Sequence, residues 1–216
     1  VRLQLAEFTR AVHPGTPKPV ATLVAPDSEW RWFHPLDGCD PAGDDDDFHQ
    51  TFYTAGFDDS GWPSGGDSGQ AGGGFGYGEE WFDGVDIGLP ASVDEHGKRN
   101  GKSAYFRHHF RTDREHANLE LWCQRDDGVV IYLDGKEVAR DNMREGEESY
   151  RLAAASAVGS SDLSRFQERT TYRVPLTDCI LPAGEHILAI SLHNTEAASS
   201  DLRIGGIKLV EVGEVE

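Results

Sequence analysis

The run Val129–Leu133, followed by Asp134-Gly135 and then Lys136–Ala139, constrains the fold more than any other stretch of the chain. Two extended segments rich in β-branched and aromatic residues flank two positions that must both adopt φ > 0, and Asp-Gly is among the pairs that accept this. The spacing predicts an antiparallel hairpin. A lone hairpin is barely stable in water, so it requires further strands that share an apolar face. Ser103–Arg111 supplies one, with Ala104, Phe106, His108 and Phe110 on one side and Tyr105, Arg107, His109 and Arg111 on the other. Leu119–Cys123, Thr171–Leu176, Ile187–His193 and Ile204–Val212 read as strands too. Trp122 alternates out of phase with Leu119, Leu121 and Cys123 and could lie on either face. Only Glu147–Val158 could be helical, and its Ser and Gly ending weakens that reading. The expectation is an all-β antiparallel sandwich.

The first half of the chain has loop composition. It holds the acidic run Asp44–Asp47 and a Gly-rich stretch from Gly65 to Gly78. Long irregular segments inside a compact domain usually build a surface or a site. Residues 1–19 read as a lead-in strand and a Pro-rich connector, His13–Pro19, and residues 20–216 as the sandwich domain. Val1–Leu5 has no long apolar core and no small-residue cleavage site, so it does not read as a signal peptide. A leader or further domains can lie outside this chain. No window approaches the roughly 18 apolar residues of a spanning helix, so membrane insertion is not expected. With 10 Phe, 6 Tyr and 5 Trp against one Met, the core should be aromatic and β-branched.

The formal net charge is -18. A field of that sign repels phosphate backbones and anionic membranes, so a nucleic-acid partner is not expected. It suits a neutral partner, a cationic one or a divalent metal, and it also keeps a surface soluble. Cys39, Cys123 and Cys179 form no CxxC, which gives a zinc or redox motif little support. Two of the three could pair in a secreted protein, while Cys123 reads most simply as a small buried residue.

Four stretches carry a family resemblance: Ser28–Trp32; Ala55–Trp62 with Gly74–Gly78; Tyr105–Arg107 leading to Asp126–Val138; and Leu181–Ile190 followed by His193-Asn194 and Ser199–Leu202. Their order resembles the galactose-binding-domain-like jelly rolls of large bacterial secreted proteins. It is similar to the sugar-binding domain of family 2 glycoside hydrolases. The resemblance implies a jelly-roll sandwich with a binding role, in which hydrolysis belongs to a separate barrel domain. Asp126-Asp127-Gly128 before an apolar run is more weakly similar to the PA14 domain, whose lectin members hold calcium between paired aspartates.

Several residues are candidates for chemistry. Asp126 and Asp127 could hold Ca²⁺, which takes six to eight oxygens; alternatively one caps the turn while the other faces water. Asp44–Asp47, beside His49, reads as a solvated loop. A sugar's C–H face packs on aromatic rings while polar neighbours take its hydroxyls. Among Trp30, Trp32, Trp62, Tyr77, Trp81 and Trp122, the pair Trp62 and Trp81 flanks the Gly-rich loop and forms the expected exposed platform. The alternative for Trp62 is a structural anchor. Tyr77, His193 and Asp201 complete the expected ligand surface. No GxSxG elbow, Walker loop or HExxH occurs, so no catalytic residue is assigned. The expectation is a non-catalytic carbohydrate-binding accessory module, secreted or at a bacterial cell surface. It would bind a glycan or other neutral ligand and neighbour other domains of a larger protein. The alternatives are a structural or adhesive spacer and a hydrolase with an unrecognised site.

Overall fold

The computed structural model describes residues 18–66, 73–78, 83–91, 103–158, 170–176, 178–196 and 199–213. Twelve strands are present: β1 (Pro19–Val24), β2 (Glu29–Phe33), β3 (Ser64–Gly66), β4 (Phe75–Tyr77), β5 (Val85–Asp86), β6 (Ser103–Thr112), β7 (Leu119–Asp126), β8 (Gly128–Leu133), β9 (Lys136–Asp141), β10 (Tyr172–Pro175), β11 (Gly184–His193) and β12 (Leu202–Val212). One short helix, α1, spans Phe48–Thr51. Sheet A has the order β10-β7-β12-β4-β5, with β1 also paired to β12; sheet B has the order β3-β2-β6-β11-β8-β9. From β6 to β12 the chain passes repeatedly from one sheet to the other, the winding of a jelly-roll sandwich. Every strand pair is antiparallel except β4 with β5.

The hairpin forms where the Asp-Gly pair predicts it. Asp134 has φ 49° and Gly135 φ 83°, and β8 pairs with β9 from Leu133–Lys136 outward. The helix considered over residues 147–158 is absent; the segment forms turns and a single bridge between Met143 and Ala154.

Alternation along the strands makes the core. Ala104, Phe106 and Phe110 of β6, Leu121 and Cys123 of β7, Ile131 of β8, Leu188 and Ile190 of β11 and Leu209 of β12 meet Trp30, Trp32 and Phe75 between the sheets. The opposite face of sheet B is covered over its middle, while His109 and Arg111 at the far end of β6 stay exposed. Tyr105, Val130, Tyr132 and Ala189 lie beneath Phe48 and Phe52, with Phe33, Tyr53, Phe57 and Trp62 packed at the edge. Tyr53 stacks on Tyr132 at 4.1 Å between centroids. The loop-rich first half is therefore a lid over sheet B, giving the domain a third layer. Burying each such ring stabilises the fold by about 2 kcal/mol.

Candidate functional site

A buried charge cluster fastens that lid. Arg107, fully buried on β6, donates from Nε to Asp59 Oδ2 at 2.7 Å and from Nη1 to the carbonyls of Phe52 and Thr54. His109 Nε2 reaches the same Asp59 oxygen at 2.7 Å. Burial opposes the charge on Asp59, yet His109 and Arg107 hold its carboxyl below the ordinary value. Trp62 follows directly: its N–H donates to the Asp59 carbonyl, and its ring stacks on Phe33 at 5.6 Å and meets Phe57 edge-on. Trp62 is half-buried, and these contacts are those of the anchoring alternative. Trp81 lies outside the described residues.

Five other candidates converge at one end of the sandwich. Tyr77 sits opposite Leu202, Asp126 opposite Arg203 and His193 opposite Gly128, while Thr195 and Asp201 belong to the adjoining β11–β12 connection. Tyr77 is buried and stacks on His34 at 5.4 Å. Asn194 Nδ2 donates to the Asp201 carbonyl, and Ser199 Oγ donates to Asp201 Oδ1 at 2.9 Å. Asp127 is committed to the fold. Its Oδ1 accepts from the Val158 N–H at 2.5 Å, and its Oδ2 accepts from the Thr195 N–H at 2.8 Å and from Thr195 Oγ1 at 3.0 Å. Both aspartates are at most 5% exposed. Among the described residues no group of three or more His, Cys, Asp or Glu could hold a metal ion. Asp127 is a tie between three loops, and the pair does not fit a calcium site.

His193 belongs to a second buried constellation that the sequence did not reveal. Its Nδ1 lies 2.8 Å from Ser103 Oγ, and its Nε2 lies 2.9 Å from Ser191 Oγ and 3.2 Å from Glu148 Oε1. Ser103 Oγ also donates to the Tyr150 carbonyl at 3.0 Å, while Glu148 Oε2 accepts from Tyr132 Oη and Ser191 Oγ at 2.8 Å each. Serine, histidine and glutamate are the residue types of a nucleophile, base and orienting acid. Here Ser103, Ser191 and His193 are at most 1% exposed, so a substrate cannot reach Ser103 Oγ. The expected contact of His193 with a ligand is corrected for the same reason. Ser103 lies 90 residues from His193 and Glu148 lies 43 from Ser191, separations that carry no local motif.

Among the described half-buried aromatics, Trp122 lies on β7, away from the lid. Inward positions Leu121 and Cys123 place it on the outer face of sheet A, where it is half-buried. Register sets it between Arg173 of β10 and Lys208 of β12. The Arg173 guanidinium stacks over the indole at 4.6 Å. Glu120 Oε2 joins the pair, accepting from Trp122 Nε1 at 2.7 Å and from Arg173 Nε at 2.8 Å. Beside this row β12 carries an irregularity at Gly205-Gly206; Gly206 has φ 60°, and a Cβ built there would meet nothing within 4 Å. The face thus presents a held indole, two cations, the half-buried amide of Gln124 and open space. Sequence alternation could have pointed to Trp122, but its neighbours Arg173 and Lys208 come from strands far along the chain.

Two grooves lie elsewhere. One of about 330 Å³ opens beside Lys136, Glu137 and Cys179, and burial raises the Cys179 thiol's pKa. The other, about 390 Å³, opens beside Arg111, Arg114 and His116, whose side chains are already paired with Glu185 and Glu211. Arg114 and His116, with the Ala117 N–H, bring Glu211 down to about 2 although burial opposes this.

No family model matches the chain, and no curated protein matches it. Among solved structures, the chain is similar to a glycosyl hydrolase family 2 member from Bacteroides cellulosilyticus, at 12% identity and a TM-score of 0.46, over 90% of this chain and 21% of that one. It is similar to β-glucuronidase 2 of Bacteroides uniformis, at 13% identity and a TM-score of 0.40, over 91% of this chain and 18% of that one. The A domain of epithelial adhesin 6 from Candida glabrata, in complex with Galβ1-3GlcNAc, is similar at 10% identity and a TM-score of 0.33, over 92% of this chain and 85% of that one. The chain spans about a fifth of the length of the two hydrolases.

Proposed function

We propose that the protein is a non-catalytic carbohydrate-binding module, an accessory domain of a larger secreted or cell-surface protein, with its ligand on the outer face of sheet A. The observation that carries this reading is the row Arg173–Trp122–Lys208. A saccharide ring offers an apolar face to an aromatic surface and hydroxyls to planar or charged neighbours. Trp122 is fixed by Glu120 and Arg173, so little side-chain entropy is lost when a ligand packs there. The cluster of Ser103, His193 and Glu148 is buried, so it offers a substrate no entry and supports binding over turnover.

A glycan array followed by titration calorimetry tests the reading. Wild type should bind a subset of oligosaccharides, and Trp122→Ala should weaken that binding about tenfold or more while the melting temperature changes little. No binding across a broad panel, or binding indifferent to Trp122→Ala, would leave the spacer alternative in its place.

A further inference from the structure

We propose that the Trp122 patch selects an acidic saccharide, one carrying a single negative charge per recognised sugar as a uronate or a sulfate ester, and that Lys208 reads that charge. The inference rests on the carbohydrate-binding reading above and names the ligand class of the same site.

The chain carries a formal charge of -18, and its cations are mostly consumed by its own carboxylates. Arg107 is spent on Asp59, Arg125 on Asp141, Arg140 on Glu137, Arg111 on Glu185 and Arg114 on Glu211. Arg173 is spent on Glu120. Lys208, like Lys136 and Arg144, forms no ion pair among the described residues, and its register partner is Trp122. With Glu120 cancelling Arg173, the patch retains the single positive charge of Lys208. An unpaired lysine on a fully solvated surface would mean little. This one is half-buried beside a fixed indole, so a ligand that stacks there meets the ammonium whether or not it is charged. A neutral sugar leaves the ammonium with only a hydroxyl; a carboxylate or sulfate gives it a charge-assisted bond. The surrounding negative field sets the upper limit. It disfavours a long polyanion while one contact pair offsets one charge, so a short or sparsely charged glycan fits and a nucleic acid does not.

The test uses the whole chain and paired probes: short oligomers of galacturonate, glucuronate and mannuronate, their methyl esters, and sulfated galacto-oligosaccharides. Wild type should bind one acidic oligomer about fivefold to tenfold more tightly than its uncharged counterpart, the methyl ester for a uronate or the desulfated oligomer for a sulfate. Lys208→Met should erase that preference, so that the acid and its uncharged counterpart bind equally tightly. The uronate and sulfate arms show which acid is read. Equal binding of acid and uncharged counterpart by wild type, or a preference that survives Lys208→Met, overturns the inference and leaves carbohydrate binding standing. Failure of every saccharide, with Trp122→Ala indistinguishable from wild type, overturns the carbohydrate reading itself. The wild-type comparison decides the matter even if the variant folds poorly.

Discussion

Glu148 is a carboxylate whose side chain is 7% exposed, and it stays charged because three donors converge on it. Burial alone would raise its pKa, but the charge and hydrogen bond of His193, then Ser191 and Tyr132, hold it below the ordinary value of 4.5. The unfolded chain therefore binds this proton more readily than the folded one. The resulting stability is present above the ordinary glutamate value and is lost as the pH falls through it towards the lower folded value. Thermal melts between pH 7 and pH 3 should show that loss, and Glu148→Gln should flatten it. At pH 7 the same substitution replaces the buried acceptor of Tyr132 and Ser191 by an amide and should cost about 1–3 kcal/mol. A melting curve for Glu148→Gln that follows wild type at every pH would mean that the pair contributes nothing. None of this was legible in the sequence, where Glu148 is one of 38 acidic residues and its three partners lie 16, 43 and 45 positions away.

The strands were legible to the extent that their chemistry is local. Asp134-Gly135 specified its turn because both residues must turn left-handed, and they do. Gly135→Val should therefore destabilise the β8–β9 hairpin by about 1–2 kcal/mol in denaturant titration, since a β-branched residue at φ 83° crowds its own carbonyl. An unchanged midpoint would show that the hairpin does not depend on this position. Alternation also sorted β6 correctly into Ala104, Phe106 and Phe110 on one side and Tyr105 and Arg107 on the other. It could not say which side was wet, because a period of two distinguishes faces only when one of them meets water. Over the middle of sheet B neither does, and the covering layer comes from residues 48–62, a stretch whose composition reads as loop. That is why Trp62 could be read as a platform when its contacts are those of an anchor, and why the outward Trp122 could not be assigned a face.

Among the described residues, negative charge is spread widely, and no group of three or more His, Cys, Asp or Glu could hold a metal ion. The melting temperature should accordingly be the same with a chelator and with millimolar calcium; a chelator-sensitive drop of several degrees would reveal an ion bound to the native state. The sheet orders carry a different consequence, for the history of the chain during synthesis. β11 lies between β6 and β8 in sheet B, and β12 lies between β7 and β4 in sheet A. These two are the last strands in chain order, yet each is the keystone of its sheet. Until both have left the ribosome, β6, β7 and β8 offer unsatisfied edges to any passing strand. The nascent domain thus spends most of its translation as an open template, and it closes only when its final segments arrive.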